Sequence, residues 1–277
     1  MRQWQIEENL SLFPLSIKVL RAVFKRTDII EEKIPFGDHR QQYTLLFHPT
    51  TSAPKRNMLI YFLHGGGWRN GDPWSFHFIG QFFARLGYPT VLGGYRLVPA
   101  FRFPIQLEDA YAGLEAGLQA AKKQNLPTDR VLLAGQSAGA QLAALMAYNR
   151  EALAVRKLSQ AMIAGVLLVS GPLDFDICRD LHLLRDYLPR PQDWELADPI
   201  RFVQGDETIP VLCIHGSRDP LIDPQNAFSF AEKVDAGKKK LATVHIVKGR
   251  HHSDLVTLFL DRSEEAKMML SWIDNCE

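Results

Sequence analysis

The sequence predicts an α/β fold in which a mostly parallel central sheet is flanked by helices. Short apolar runs alternate along the chain with longer segments that carry apolar residues at helical spacing. Several of the short runs are continuously apolar, as expected of strands that are buried on both faces. The predicted strands are 42–47, 58–63, 90–95, 131–134, 164–169, 210–214 and 242–247, and the predicted helices are 76–86, 107–124, 138–149, 224–236 and 263–275.

Two segments fall outside this alternation, and we expect them to form a small cap on a single domain of residues 1–277. Residues 1–30 contain an apolar stretch from Leu10 to Phe24, which predicts a short helix over the core. A mobile flap or a weak membrane-surface helix is the alternative. Residues 171–209 separate two predicted strands and contain four prolines, which is typical of a lid insertion rather than a simple crossover.

The composition is that of a globular protein, with 46% hydrophobic and 23% charged residues. Because 32 Lys and Arg balance 31 Asp and Glu, we expect neither a nucleic acid nor an anionic membrane as a partner. The odd set of Cys178, Cys213 and Cys276 lacks metal-ligand spacing and predicts reduced thiols in a cytoplasmic protein. No apolar run approaches the roughly 18 residues of a membrane span. Glu7 and Glu8, with no small-residue cleavage site nearby, argue against a signal peptide.

The segment from Val131 to Gly139 predicts a strand that ends in a sharp turn carrying a nucleophile. It reads Val-Leu-Leu-Ala-Gly-Gln-Ser-Ala-Gly, so Ser137 lies between a buried strand and a helix rich in small residues. Gly135 and Gly139 let the strand and the helix approach closely, which a Gly-x-Ser-x-Gly turn requires. The helix dipole at this N-terminus favours a developing anion. A glycine-rich turn with a helix-capping serine is the alternative interpretation.

A second motif, His64-Gly-Gly-Gly-Trp68, follows the predicted strand 58–63. Consecutive glycines expose backbone N–H groups, which is what an oxyanion hole requires. A phosphate-binding loop is disfavoured, because the motif has neither the Lys-Ser/Thr of a P-loop nor the glycine spacing of a dinucleotide site. We expect the side chain of His64 to shape the loop by hydrogen bonding rather than to act as a base.

A serine hydroxyl needs a base, and the base needs an orienting acid. For a nucleophile on a Gly-x-Ser-x-Gly turn, the chain order is serine, acid, histidine. Asp219 follows the predicted strand 210–214 and is the predicted acid, with Asp174, which also follows a strand, as the alternative. Asp223 fits better near the start of a helix.

Two adjacent histidines follow the predicted strand 242–247. His252 is the predicted base, because it stands before Ser-Asp-Leu at the start of a predicted helix, and His251 is the alternative. The remaining histidines are scattered without metal-ligand spacing, so we predict no metal and no cofactor.

Together these segments resemble the α/β-hydrolase fold and, within it, the hormone-sensitive-lipase-like carboxylesterases. The resemblance extends from about residue 40 to the end of the chain. The form of the Gly-Trp loop is similar to the branch that holds feruloyl-esterase-like and kynurenine-formamidase-like enzymes. The motifs that carry the resemblance are His64-Gly-Gly-Gly-Trp68, Gly94-Tyr-Arg-Leu-Val-Pro99 with Phe103-Pro104 and Glu108-Asp109, Gly135-Gln-Ser-Ala-Gly139, and His215-Gly-Ser-Arg-Asp219-Pro.

The resemblance implies a set of site residues: a catalytic triad of Ser137, Asp219 and His252, and oxyanion N–H donors at Gly66, Gly67 and Ala138. The chain departs from the family pattern at Gln136, where Asp or Glu is common. It departs again at Arg250-His251, where a small residue usually precedes the histidine. Both departures leave the polarity of the pocket and the substrate open.

The predicted function is a serine hydrolase that cleaves carboxylic esters of small to medium size through an acyl-enzyme. Cleavage of an aryl formamide such as N-formylkynurenine is the alternative, because it uses the same groups. An alternative of another class is a hydrolase-fold protein that binds a small ligand without catalysis, disfavoured because every catalytic group is present. Trp68, Trp74 and Trp194 are predicted to line an apolar pocket, with core packing as the alternative. We expect a small-molecule ester as the partner and leave a homodimer open.

Overall fold

The computed structural model describes residues 29–50, 56–178, 182–237, 239–260 and 263–277. The flap expected at the N-terminus lies outside these ranges, except for its last two residues, which begin a strand. Within the described ranges, eight strands form one sheet in the order β1-β2-β4-β3-β5-β6-β7-β8. They are β1 Ile29–Pro35, β2 Tyr43–Pro49, β3 Leu59–Leu63, β4 Thr90–Gly93, β5 Val131–Gln136, β6 Ile163–Val169, β7 Val211–Gly216 and β8 Ala242–Val247.

The pairing confirms the predicted fold class. Strand β2 pairs antiparallel with both β1 and β4, and the other neighbours in the sheet are parallel. Each predicted strand is present, and the structure adds β1, which the sequence pattern missed. Because β1 is an edge strand, its charged residues Glu31, Glu32 and Lys33 are exposed and give it the composition of a loop.

The helices cover both faces of the sheet. They are α1 His77–Arg85, α2 Ile105–Lys123, α3 Ala138–Tyr148, α4 Arg150–Val155, α5 His182–Tyr187, α6 Pro191–Ala197, α7 Gln225–Asp235 and α8 Glu264–Asp274. Helices α5 and α6 lie in the segment 171–209, where the sequence predicted a lid insertion and the apolar spacing predicted no helix. None of the helices in the described ranges is long and apolar enough to cross a lipid bilayer.

The alternation of side chains along β3 explains why its apolar run is continuous. Leu59, Tyr61 and Leu63 pack on the face covered by α2, α3 and α7. Ile60 and Phe62 pack on the opposite face, with residues of α1 and α8. All five side chains are fully buried, and burial of each large apolar side chain contributes about 1.5–3 kcal/mol.

The parallel register brings the functional motifs to one edge of the sheet. Strand β3 lies beside β5, and β7 lies beside β8. The motif segments 64–68, 137–139, 217–219 and 250–252 therefore all leave the sheet at the carboxyl ends of their strands, where open α/β sheets bind ligands.

Candidate active site

Ser137 lies on a sharp turn between β5 and α3. Its φ of 54° and ψ of −120° place it in a backbone conformation that side-chain-bearing residues rarely adopt. The turn is tight enough that a Cβ on Gly139 would lie 2.0 Å from the carbonyl oxygen of Leu63. The N–H of Ser137 donates to the carbonyl oxygen of Val169 at 2.8 Å, which ties the strained residue to the neighbouring strand β6.

The structure brings Ser137, His252 and Asp219 into one hydrogen-bonded chain. His252 Nε2 lies 2.8 Å from Ser137 Oγ, and His252 Nδ1 lies 2.7 Å from Asp219 Oδ2. Because a carboxylate oxygen only accepts, Nδ1 of the neutral imidazole donates to Asp219 and Nε2 is left to accept from the serine hydroxyl. The other carboxylate oxygen, Oδ1, accepts from the backbone N–H groups of Leu221 and Ile222, each at 2.9 Å.

Asp219 is held as a carboxylate despite its burial. Burial alone raises the pKa of this carboxyl, but the charge of His252 and hydrogen bonds from His215 and His252 outweigh it. The net result is a pKa of Asp219 well below its usual range. A full negative charge therefore faces the imidazole of His252 at neutral pH.

The two alternative residues, Asp174 and His251, have other surroundings, as does Asp223. Asp174 accepts from Ser229 Oγ at 2.5 Å and from the N–H of Asp176 at 3.0 Å. Asp223 accepts from the N–H of Gln225 at 2.8 Å, at the start of α7, as expected. His251 is partly exposed beside the buried His252. The hydrogen-bonded chain to Ser137 runs through His252 and Asp219 alone among these candidates.

The glycine loop after β3 is fixed by its own histidine and by Tyr95. His64 stacks on the ring of Tyr95 with centroids 4.2 Å apart, and Tyr95 Oη donates to the carbonyl oxygen of His64 at 2.7 Å. His64 Nδ1 lies 2.8 Å from the carbonyl oxygen of Gly65. Burial lowers the pKa of His64 to about 4, so its ring is neutral and shapes the loop, as the sequence predicted.

The conformation of this loop exposes backbone N–H groups beside Ser137. Gly66, Gly67 and Trp68 all have positive φ, at 118°, 60° and 55°. Within the part of the chain that the structure describes, the N–H groups of Gly66, Gly67 and Ala138 donate to no other protein group. A Cβ on Gly66 would lie 2.1 Å from the carbonyl oxygen of Asn70, so this position requires glycine.

A cavity of about 230 Å³ opens in front of Ser137. Of the three predicted pocket tryptophans, it contains Trp68. Trp74 lies outside it, with 59% of its surface exposed and its ring against His77. Trp194 lines a separate cavity of about 590 Å³ within the segment 175–201. The residues that line the site cavity are Gly66, Gly67, Trp68, Asn70, Gln136, Ser137, Pro172, Leu183, Leu221, Ile222, His252 and Ser253.

Helix α5 packs against the glycine loop, a contact that the sequence did not reveal. Trp68 stacks on Tyr187 with ring centroids 4.2 Å apart, and Arg69 forms an ion pair with Asp186. Leu183 lies against Gly67, where a Cβ would meet its Cδ1 at 2.9 Å. Only the apolar spacing of 183, 184 and 187 within the long 171–209 segment could have indicated a packed helix there.

A glutamine on α3 also connects these parts of the site. Gln141 is fully buried, and its Oε1 accepts from Trp68 Nε1 at 3.2 Å. Its Nε2 donates to the carbonyl oxygen of Ala197, the last residue of α6, at 2.6 Å. The helix that follows Ser137 thus holds both the glycine loop and the segment 171–209. A lone polar residue in the apolar sequence of α3 was the available signal.

Solved esterase structures share this fold. Esterase B from Lactobacillus rhamnosis matches with a TM-score of 0.79 and 20% identity, over 98% of this chain and 93% of that one. An esterase from Pyrobaculum calidifontis matches with a TM-score of 0.72 and 22% identity, over 99% and 92% of the two chains. At these identities, the likeness is one of fold.

The similarity to curated relatives covers only part of this chain and part of each relative. An esterase from Gibberella moniliformis is 27% identical over 211 residues, which is 69% of this chain and 66% of the relative. An acetyl esterase from Salmonella schwarzengrund is 34% identical over 110 residues, 39% of this chain and 32% of the relative. Arylacetamide deacetylase from Bos taurus is 36% identical over 93 residues, 32% of this chain and 23% of the relative. The chain therefore covers between 23% and 66% of the length of these relatives.

The family model described as BD-FAE matches residues 46–234, which is well over half of the 277 residues. The matched region contains the glycine loop, Ser137 and Asp219. With the strand order above, this match confirms the resemblance to the hormone-sensitive-lipase-like carboxylesterases. The chain belongs to the BD-FAE family, within the α/β-hydrolase superfamily.

Proposed function

We propose that this protein is a serine hydrolase that cleaves carboxylic esters with a small acyl group. The observation that carries the proposal is the chain of hydrogen bonds from Asp219 through His252 to Ser137, at 2.7 and 2.8 Å, at the wall of a cavity. The esterase names among the relatives support the same reaction class.

In the proposed reaction, Ser137 Oγ attacks the ester carbonyl carbon while His252 Nε2 takes the hydroxyl proton. The resulting imidazolium is held by the Asp219 carboxylate, which also keeps the imidazole in the correct tautomer. The N–H groups of Gly66, Gly67 and Ala138 donate to the oxyanion, and loss of one such donor typically lowers the rate by about 10²–10³.

The tetrahedral intermediate then collapses to an acyl-enzyme. His252 returns its proton to the oxygen of the leaving alcohol as the carbon–oxygen bond breaks. Water takes the place of the alcohol, gives a proton to His252 and attacks the acyl carbon. The second collapse releases the carboxylic acid and restores the proton to Ser137 Oγ.

The size of the cavity favours a short acyl chain. Its volume is about 230 Å³. It is smaller than the roughly 300–1,000 Å³ of pockets that hold drug-sized ligands. Leu183, Leu221 and Ile222 supply an apolar wall, so we propose acetyl to butyryl esters rather than long-chain lipids as substrates.

The proposal includes a cap made by residues 171–209 on a single domain. Support comes from the packing of α5 on the glycine loop, through the stack of Tyr187 on Trp68 and the ion pair of Asp186 with Arg69. Because Leu183 lines the cavity, this segment limits the acyl group as well as covering the site.

A cytoplasmic location is also part of the proposal. Cys178, Cys213 and Cys276 are buried and free, and burial raises the pKa of the first two thiols to about 12. Thiols kept protonated in this way are inert and need no oxidising compartment. Fractionation of cells that express the protein tests the location, and recovery from a secreted fraction contradicts it.

The test of activity is a series of p-nitrophenyl esters from acetate to octanoate, together with N-formylkynurenine. We expect the highest kcat/KM on acetate or butyrate, whereas a large preference for the formamide contradicts the ester assignment. A fluorophosphonate probe, mapped by mass spectrometry, should label Ser137.

Matched variants complete this test. Ser137→Ala should abolish both turnover and labelling. Ser170→Ala is the control, because Ser170 also follows a strand with positive φ, but among the described residues its Oγ has no hydrogen-bond partner. His252→Gln should abolish labelling while His251→Gln keeps it, and the reverse pattern moves the base to His251.

A further inference from the structure

A second histidine contacts the carboxylate of Asp219. His215 Nε2 lies 3.0 Å from Asp219 Oδ2, the same oxygen that His252 Nδ1 approaches at 2.7 Å. The side chain of Asp219 is fully buried and that of His215 is 1% exposed, so water does not compete for these contacts. The reaction described above assigns no role to this second histidine.

The surroundings of His215 fix which of its nitrogens carries a hydrogen. Besides the carboxylate, Nε2 lies 3.0 Å from the carbonyl oxygen of Ile222. Both neighbours only accept hydrogen bonds, so Nε2 must be a donor. His215 belongs to β7, which pairs with a strand on each side, so the backbone of this donor is fixed within the sheet.

We propose that His215 is a positioning residue for the reaction proposed above, on which this inference rests: it donates its Nε2–H to Asp219 Oδ2 and so fixes the carboxylate that orients His252. The carboxylate accepts three hydrogen bonds, from the N–H groups of Leu221 and Ile222 on Oδ1 and from His252 Nδ1 on Oδ2, and His215 Nε2 adds a fourth contact at 3.0 Å. With these contacts on both oxygens, the carboxylate of Asp219 cannot rotate away from the imidazole of His252.

The contact also sets how strongly Asp219 attracts a proton onto His252. Two imidazole N–H groups share the charge of one oxygen, so each receives less of it than a single donor would. Removal of His215 therefore directs the whole charge of that oxygen to His252, which should raise the pKa of His252. A residue with a purely structural role would not change this pKa.

The other titratable or charged groups around the cavity are unchanged when only His215 is replaced. They contribute equally to the wild type and to each variant, so the comparison isolates His215. On the segments that line or flank the cavity, these groups are His64, Arg69, Asp72, Asp174, His182, Arg185, Asp186, Arg218, Asp223, Arg250, His251 and Asp254.

The test uses His215→Phe, which keeps a planar ring without the N–H, and His215→Gln, whose amide can place an N–H near the position of Nε2. The pKa of His252 is measured by NMR on protein labelled with ¹⁵N-histidine, and the resonance is assigned with His252→Gln. We expect the pKa of His252 to rise by about 0.5–1 unit in His215→Phe and to return most of the way in His215→Gln. His48→Phe, a buried histidine on β2, is the matched control and should leave it unchanged.

Kinetics on p-nitrophenyl acetate give the second readout. The acid limb of kcat/KM should move to higher pH by the same amount in His215→Phe, with a plateau lowered about tenfold, because a bond to a charged group is lost. A plateau that falls with an unshifted acid limb contradicts the proposal and leaves His215 a structural role.

The NMR readout separates this inference from the proposed function. If the pKa of His252 rises in His215→Phe but the wild-type protein cleaves no ester, the positioning contact is supported and the hydrolase assignment is refuted. If the pKa of His252 does not change in His215→Phe and the wild-type protein is an active esterase, the hydrolase assignment is supported and the positioning contact is refuted. If His215→Phe does not fold, the wild-type ¹⁵N shifts still decide, since a His215 ring protonated on Nδ1 and not on Nε2 overturns the proposal.

Discussion

Replacement of Asp219 by asparagine should disable the site by a conflict that no side-chain orientation avoids. Each carboxylate oxygen of Asp219 faces two N–H donors: Leu221 and Ile222 on Oδ1, His252 and His215 on Oδ2. Asparagine has one oxygen and one NH₂ group, so its NH₂ meets two donors in either orientation.

The size of the loss depends on which N–H donors the NH₂ group of the asparagine faces. If the NH₂ faces His252, the imidazole must accept at Nδ1 and carries its hydrogen on Nε2, so it cannot take the proton of Ser137. A wrong tautomer of this kind lowers kcat by about 10⁴. If the NH₂ instead faces Leu221 and Ile222, two buried N–H groups lose their partner, at about 1–3 kcal/mol each.

The assay combines kcat/KM on p-nitrophenyl acetate with denaturant unfolding. Asp174→Asn is the matched control, since Asp174 is a buried carboxylate that also follows a strand and accepts from Ser229. We expect Asp219→Asn to lose activity by at least about 10³, with folding retained, and Asp174→Asn to stay within about threefold of the wild type. An Asp219→Asn enzyme within tenfold of the wild type would refute the reasoning, and loss of activity in Asp174→Asn instead would transfer the acid to that residue.

Three further predictions concern the cavity, the turn and the cap. Leu183→Ala should raise kcat/KM on octanoate relative to acetate by about tenfold, because it removes part of the apolar wall; Leu196→Ala, on an exposed cap residue, should not change the ratio. Gly139→Ala should lower the free energy of unfolding by about 3 kcal/mol or more, since its Cβ falls 2.0 Å from a carbonyl oxygen. Gly205→Ala is its control and should cost about 1–2 kcal/mol, because among the described residues its φ of 88° is the only obstacle to a Cβ. Burial raises the pKa of Asp198 to about 7, so the folded state keeps a proton that the unfolded chain loses above about pH 4. The free energy of unfolding should therefore fall by up to about 4 kcal/mol between pH 4 and pH 7, and Asp198→Asn should flatten this slope in urea titrations at each pH; an unchanged slope contradicts the assignment.

The central elements could be predicted because a local pattern encodes each of them. A strand buried on both faces, such as β3, must be continuously apolar, and the glycines around Ser137 are required by a backbone approach too close for any side chain. The proposed triad stays a prediction, but its three residues were found because parallel strands bring their carboxyl ends together.

The elements that the sequence missed have weak local patterns. Strand β1 is an exposed edge whose charges hide its pairing with β2. Helices α4, α5 and α6 have six or seven residues, fewer than two turns, so helical periodicity has no room to appear. Tertiary packing places Trp74 and Trp194 outside the cavity at Ser137. The position of an aromatic residue in the sequence does not predict which cavity its side chain lines.

The site depends on strained backbone that several independent contacts hold in place. Ser137 and Trp68 both have positive φ, at a cost of about 1–3 kcal/mol each for residues with side chains. At Ser137 the strain is offset by the bond from its N–H to β6. At Trp68 it is offset by the stack on Tyr187, the bond to Gln141, and the N–H of Val98, which donates to the carbonyl oxygen of Trp68 at 2.9 Å. Because these contacts come from four separate parts of the chain, the glycine loop and the serine keep their relative position only when the sheet, α3 and the segment 171–209 are all packed together. The surroundings of the site are therefore as necessary to its geometry as the residues that would meet the substrate.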